Sequence, residues 1–138
     1  MAESTGSVHT LDVRQPYFNY IRDGLKTVEG RAGNISENYK LKQTKFKKGD
    51  TLCFTEAVTT TTSTNAAAAD VITCRIVDVS FYGSFEEMLV GSGLANCLPN
   101  TDSLEEGVRI YRSFPDYVRK ENEYGVIGIH IQVDNWTI

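Results

Sequence analysis

Apolar and polar residues alternate along several short stretches of the chain, which predicts about five β-strands. Successive side chains of an extended strand point to opposite faces, so alternation marks a strand with one buried face. The pattern is clearest over residues 71–79, where Ile72, Cys74 and Ile76 lie opposite a face that runs from Val71 to Val79. The other predicted strands cover residues 8–13, 27–31, 51–55 and 124–133.

Capping residues predict helices between the later strands. Residues 84–87 and 103–106 each read Ser-x-Glu-Glu, a capping box in which the serine oxygen accepts a main-chain N–H and the glutamate reaches back. We expect Gly91 and Gly93 to end the first of these helices. Phe114-Pro115 should end the second, because proline disfavours a helical residue before it. A short helix over residues 116–118 is expected to follow.

The order of these elements favours an α+β fold, since strands and helices do not alternate regularly. A small, closed or nearly closed β-barrel with helices packed outside fits the pattern, and so does an open antiparallel sheet. The 138 residues have the size of a single domain, residues 1–138. Residues 1–7 are expected to form a flexible N-terminus. Residues 59–69, mostly threonine and alanine, are expected to form a mobile loop.

Composition narrows the range of functions. The formal net charge of −4 argues against a protein that coats nucleic acid through bulk charge. No apolar run reaches the roughly 18–20 residues that span a bilayer, and residues 1–7 lack signal-peptide features, so we expect a cytoplasmic or nuclear protein without a membrane partner. Five lysines within residues 40–48 predict either a solvated loop or a contact with RNA phosphates.

The cysteines and histidines suggest no metal site. Cys53, Cys74 and Cys97 lack the CxxC spacing of zinc sites, and His9 and His130 fall in different strands. No glycine-rich phosphate loop is present. The sequence therefore predicts neither a metal nor a cofactor, and no disulfide framework.

A candidate site lies at Lys26, Glu29 and Arg31. In an extended segment Glu29 and Arg31 share a face, while Lys26 sits at the turn after Gly24 and is free to bend to either side. The lysine is a candidate base, the carboxylate would orient it, and the arginine offers a fork of donors to an anion. The alternative is a solvated strand end with a surface ion pair, which contributes only about 0–1 kcal/mol.

A second group of candidates lies where the first strand meets the first helix. Residues 17, 20 and 21 are apolar at helical spacing behind Gln15-Pro16, and Gly24 ends this helix. Arg14, Gln15 and Tyr17 stand at its start, where main-chain donors favour anions. Gln15 can hydrogen-bond a base edge and Tyr17 can stack on a base, although Tyr17 also suits core packing.

The segment Gly24-x-Lys26-x-x-Glu29-x-Arg31 resembles the signature of the ASCH domain, a relative of the PUA RNA-binding domain. Residues 15–17, 49–52 and 124–131 extend the resemblance over roughly residues 8–133. It implies a PUA-like barrel with a cleft between barrel and helices. It also implies binding of RNA or modified nucleosides at Lys26, Glu29 and Arg31.

Some proteins of this kind are hydrolases that remove the acetyl group from N4-acetylcytidine, and their catalytic lysine matches Lys26. Their catalytic threonine corresponds to Glu29, and their catalytic glutamate falls near Asn100, with Glu105 and Glu106 close by. These differences favour binding of RNA or a nucleotide over catalysis. The alternative is a small hydrolase of a modified nucleoside or of RNA, with Lys26 and Glu29 as catalytic residues. A weaker third hypothesis is an adaptor that binds protein through its tyrosines.

Overall fold

The computed structural model describes residues 6–57 and 70–137. Five strands form one sheet: Val8–Val13 (β1), Val28–Ala32 (β2), Thr51–Glu56 (β3), Val71–Tyr82 (β4) and Val126–Thr137 (β5). Five helices occur in the described part of the chain: Tyr17–Arg22 (α1), Phe85–Ser92 (α2), Leu94–Cys97 (α3), Leu104–Arg112 (α4) and Tyr117–Tyr124 (α5). The four-residue α3 was not predicted from the sequence.

The sheet has the order β1-β3-β4-β5-β2 and is mixed, because β1 pairs with β3 in parallel while the other neighbours are antiparallel. It curves into a half-barrel with the helices packed around it. The predicted α+β fold with about five strands and external helices is therefore confirmed. Strands β1 and β2 are the two edges of the sheet, and their separation leaves the barrel open on one side.

Two apolar clusters fill the interior. One lies against β3, β4 and β5 and includes the fully buried Leu52, Phe54 and Ile76. The other joins the sheet to the helices through Val28, Phe85 and further buried side chains of α2. Strand β5 contributes to both clusters, since its alternate side chains enter opposite layers.

Strand β4 departs from the predicted alternation. Ile72, Cys74 and Ile76 are buried as expected, but the pairing with β5 shifts between Ile76 and Asp78. A bulge reverses the faces of the residues beyond it. Val79, predicted to share a face with Val71, therefore packs against the same cluster as Ile76.

Several predicted ends of helices and strands were wrong. The last helix runs from Tyr117 to Tyr124, well beyond residue 118, and strand β5 starts at Val126 and extends to Thr137. Gly125, with a φ of 79°, separates the two elements. Gly91 lies inside α2, which ends before Gly93.

The predicted helix starts at 84 and 103 are confirmed. The Ser84 hydroxyl accepts the N–H of Glu87, and the Ser103 hydroxyl accepts the N–H of Glu106. Residues 34–46 contain turns and one short bridge, as expected for a loop. The predicted loop 59–69 lies outside the described residues, and so do residues 1–5. Ser7 is bound through its N–H to the Asp50 carboxylate.

Candidate functional site

The turn after α1 places Lys26. Gly24 adopts a φ of 80°, a conformation that other residues resist, and the chain then reverses direction. The main-chain N–H groups of Leu25 and Lys26 both donate to the Tyr20 carbonyl oxygen, at 2.9 and 3.0 Å. These bonds aim the Lys26 side chain back under α1.

The Lys26 amine is buried, with only 3% of the residue exposed. Its Nζ atom donates to the carbonyl oxygens of Val28 at 2.8 Å and of Cys97 at 2.6 Å. Burial lowers the pKa of Lys26, and the neighbouring Glu29 carboxylate opposes this shift. The lysine is therefore held in one position and is not free to bend to either side of the turn.

Glu29 lies between the two cations. Its Oε1 atom is 3.6 Å from Lys26 Nζ, and its Oε2 atom accepts from Arg31 Nη1 at 3.2 Å. Glu29 is 8% exposed, whereas the Arg31 side chain is 33% exposed. The alternative of a solvated surface ion pair is wrong, because two of the three groups are buried.

These charged groups face a cavity of about 240 Å³ in the opening between the two edge strands, which we name the seam cavity. Small-molecule sites usually range upward from roughly 300 Å³, so this volume suits one planar group of the size of a nucleobase. The side chains and main chain of both edges line it: Asp12, Val13, Arg14, Glu29, Gly30 and Arg31. The open side of the half-barrel is thus the candidate site.

Aromatic rings form the opposite wall of the seam cavity. Tyr17 of α1 stands on one side, and Tyr111, Phe114 and Tyr117 come from α4, α5 and the turn between them. Tyr111 and Tyr117 both stack on Phe85, with ring centroids 4.7 and 5.7 Å apart. Their ring planes are nearly parallel to that of Phe85, at interplanar angles of 4° and 7°.

The Tyr111 hydroxyl is unusual within this wall. Tyr111 is only 3% exposed, and its hydroxyl oxygen is buried with no hydrogen-bond partner in the described structure. Burial raises the pKa of Tyr111 well above its ordinary value, so the hydroxyl keeps its proton. Almost all buried polar groups in proteins are hydrogen-bonded, so this hydroxyl is an exception.

Of the remaining two candidates, Arg14 and Gln15, only Arg14 lines the seam cavity. Arg14 lines it, and its guanidinium carbon is 4.6 Å from the centre of the Phe114 ring. Gln15 is exposed and does not line it. The Gln15 amide instead donates to Asn19 Oδ1 at 3.1 Å and accepts the Asn19 N–H, which supports the first turn of α1.

Comparison with known sequences agrees with this arrangement. The sequence model described as the ASCH domain matches residues 11–133. The chain belongs to the ASCH domain family. No curated protein matches it.

Two solved structures resemble this ASCH domain. One is a crystal structure of the hypothetical protein PH0355, with a TM-score of 0.68 and 29% identity, covering 93% of this chain and 99% of that one. The other is a solution structure of protein PF0455 from Pyrococcus furiosus, with a TM-score of 0.62 and 29% identity, covering 92% and 96%.

The region predicted to hold a third catalytic carboxylate lies elsewhere in this ASCH domain. Asn100 and Glu106 line a second cavity of about 460 Å³, which shares Tyr17 with the seam cavity. The amide of Asn100 donates to the Tyr20 hydroxyl, and Glu106 pairs with Arg109. Glu105 lines neither cavity. Asn100, Glu105 and Glu106 do not line the seam cavity with Lys26.

Asp12 was missed by sequence reasoning. It is the second carboxylate that lines the seam cavity in the described residues, and it accepts a hydrogen bond from Thr55. A signal was present, because Asp12 precedes Arg14 by two positions and shares its strand face. No such signal in the sequence marks Phe114, because its position beside Arg14 depends on how the helices pack.

Other chemistries lack support in the described residues. Burial raises the pKa of the Cys97 thiol to about 11, so it does not supply a thiolate nucleophile near Lys26. Residues 6–57 and 70–137 contain no group of three or more histidine, cysteine or acidic residues placed to hold a metal ion. Within the same ranges no helix has the length and apolar character needed to cross a bilayer. The lysines of residues 40–48 do not line the seam cavity.

Proposed function

We propose that this ASCH domain binds one base of a single-stranded RNA, or a free or modified nucleotide, in the seam cavity. The observation that supports it most directly is the meeting of Lys26, Glu29 and Arg31 in one cavity with an aromatic wall. A cytoplasmic or nuclear location, where RNA is present, belongs to the same proposal.

Each lining group has a defined part in this proposal. The rings of Tyr17 and Phe114 stack on the base, which contributes about 1–3 kcal/mol per base in single-strand binding. The Glu29 carboxylate accepts a hydrogen bond from an exocyclic amine or ring N–H of the base. Arg31 and the exposed Arg14 then meet the ribose phosphate with planar forks of donors.

A binding measurement tests this proposal. Short fluorescein-labelled homopolymeric RNAs and nucleoside monophosphates would be titrated with the protein, using anisotropy for the RNAs and calorimetry for the monophosphates. Arg31→Met should weaken binding by about tenfold or more, because a charge-assisted pair is lost. Arg75→Met is the matched control, since Arg75 is an exposed arginine on β4 whose side chain is 62% accessible. Equal loss in both variants would indicate nonspecific charge attraction.

One observation favours hydrolysis as a second function. Two of the three hydrogen-bonding directions of Lys26 Nζ point to carbonyl oxygens. The neutral amine has two N–H donors, so its lone pair would point in the third direction, toward Glu29 and the cavity. It would take a proton from water, the hydroxide would attack an acyl carbon, and the C–N bond would break with the proton passing to the leaving amine.

Turnover assays separate the two functions. The protein would be incubated with N4-acetylcytidine and, separately, with unstructured RNA, and acetate or RNA fragments would be quantified. Lys26→Met should stop any reaction, whereas Lys40→Met, a change at an exposed lysine, should not. Tight binding without any product would limit the seam cavity to recognition.

A further inference from the structure

The outer edge of β2 faces the seam cavity. The Thr27 carbonyl accepts from Ile131, and the Gly33 N–H donates to Gly125, so the odd-numbered residues of this strand bond to β5. The main-chain groups of alternate residues in an antiparallel strand point to opposite sides. The N–H and C=O groups of Gly30 therefore point away from β5, into the opening between β1 and β2.

The main-chain groups of the neighbouring even-numbered residues, Val28 and Ala32, have partners at this edge, and those of Gly30 do not. The Val28 carbonyl accepts from Lys26 Nζ, and the Ala32 main chain hydrogen-bonds the Tyr117 hydroxyl. No side chain or strand of the described residues bonds the main chain of Gly30, which lines the seam cavity. Unpaired groups of an edge strand are a template for another hydrogen-bonding edge.

The Tyr111 hydroxyl lies next to this position. A Cβ atom added to Gly30 would stand 2.9 Å from the Tyr111 oxygen and 2.5 Å from Met88 Cε. Only glycine lets the strand approach the aromatic wall this closely. Met88 and Tyr111 therefore fill the side of the strand that a side chain at Gly30 would occupy, and only the main-chain groups of Gly30 face the opening.

We propose that the Gly30 main chain recognises the hydrogen-bonding edge of the bound base. The inference rests on the proposed function. The ligand class is a planar heterocycle whose edge carries a donor beside an acceptor, as in the pairing edges of the RNA bases. The donor bonds the Gly30 carbonyl, and the acceptor takes the Gly30 N–H.

The geometry of an extended strand supports this class. A residue in a neighbouring strand would offer one N–H and one C=O, side by side, to both groups of Gly30. A base edge with adjacent donor and acceptor offers the same pair of groups.

Nuclear magnetic resonance tests the contact at Gly30 directly. The isotope-labelled protein would be titrated with each of the four ribonucleosides, and then with the counterpart methylated on the ring nitrogen of the pairing edge. A bound nucleoside should shift the Gly30 amide proton downfield, and its methylated counterpart should not. The amide of Gly49, in a turn distant from the seam cavity, serves as the internal reference.

A variant of the hydroxyl serves as a control. Tyr111→Phe should leave nucleoside binding unchanged, because the Tyr111 hydroxyl oxygen is buried and offers no surface to a ligand. Nucleoside binding with an unmoved Gly30 amide would overturn this inference and leave the proposed function standing. If no ribonucleoside moves any resonance of the cavity, both fall together.

Discussion

Lys26 and Cys97 are 71 positions apart, yet the lysine Nζ atom donates a 2.6 Å hydrogen bond to the Cys97 carbonyl oxygen. The adjacent main chain repeats the contact, because the Thr27 N–H donates to the Asn96 carbonyl oxygen at 2.9 Å. The start of β2 is therefore joined to α3. This contact makes the signature lysine part of the interior as well as part of the site.

Replacing Lys26 with methionine should abolish ligand binding and change stability only moderately. The substitution keeps an unbranched apolar side chain of similar size but leaves two carbonyl oxygens without a donor, at a cost of about 1–3 kcal/mol. Burying an amine is itself unfavourable, so its removal offsets part of that cost. Urea unfolding and the RNA titration measure the two effects. Lys26→Ala should lose more stability, by about 2–4 kcal/mol, because it also opens a cavity.

The same variant gives a pH prediction. The folded-state pKa of Lys26 is lowered by burial, while the unfolded value is about 10.4. Between the two values the unfolded chain holds a proton that the folded chain has released. The unfolding free energy of the wild type relative to Lys26→Met should therefore rise with pH in this interval and level off above the unfolded pKa. Urea unfolding at steps from about pH 7 to about pH 10 measures the difference, and a flat or falling curve would contradict it.

Two tyrosine variants should have opposite effects on stability. Tyr111→Phe removes a buried hydroxyl without a partner, so it should leave the unfolding free energy unchanged or raise it by up to about 1 kcal/mol. Tyr117→Phe removes a hydroxyl that hydrogen-bonds the Ala32 main chain, so it should cost about 1 kcal/mol. Both changes delete one oxygen from the same aromatic wall. Thermal and urea unfolding of the pair measure the contrast, and equal losses would mean that Tyr111 has a partner.

Glu121 should be essential to the aromatic wall. It is 3% exposed, accepts the Phe85 N–H at 2.8 Å and binds Arg112 through both oxygens at 2.9 and 3.1 Å. It thereby joins α2, α4 and α5, which hold the stacked rings. Glu121→Ala should cost about 1–3 kcal/mol, because the buried Phe85 N–H at the start of α2 loses its acceptor, while the half-exposed Arg112 stays solvated.

The control for Glu121 lies two positions along the same helix. Glu123 forms an exposed ion pair with Arg119, so Glu123→Ala should change the unfolding free energy by less than about 1 kcal/mol. Urea unfolding of both variants would show whether the packing of α2, α4 and α5 against one another depends on Glu121. Similar small effects would mean that the apolar cluster alone holds the wall.

Asp50 should make the protein acid-sensitive. Burial raises its pKa, but hydrogen bonds from His9 and from the N–H groups of Ser7 and Lys47 outweigh burial, so the net pKa is lowered. A lowered folded pKa contributes stability above the unfolded value of about 3.9, and this contribution is lost as pH falls through the folded pKa. Asp50→Asn lacks this titration. The unfolding free energies of Asp50→Asn and the wild type should therefore approach each other as pH falls. A difference that stays constant would contradict the prediction.

Local sequence determined the elements whose signals are short-range. The serine caps at 84 and 103 and the glycine after α1 are each recognised within a few residues, and the structure has all three. The boundary between α5 and β5 was misplaced, since Tyr124 suits either a helix or a strand. The bulge in β4 left no local signal, because it depends on the pairing with β5.

Sequence alone also determined which side chains of β2 carry charge. The spacing of Glu29 and Arg31 further determined that these two side chains share one strand face. Only the tertiary structure decided that Lys26 is buried, that the half-barrel opens between β1 and β2, and that Tyr111, Phe114 and Tyr117 close that opening. Burial and cavity shape arise from contacts between residues far apart in the chain, here up to 71 positions, and no local pattern of residues encodes such distances.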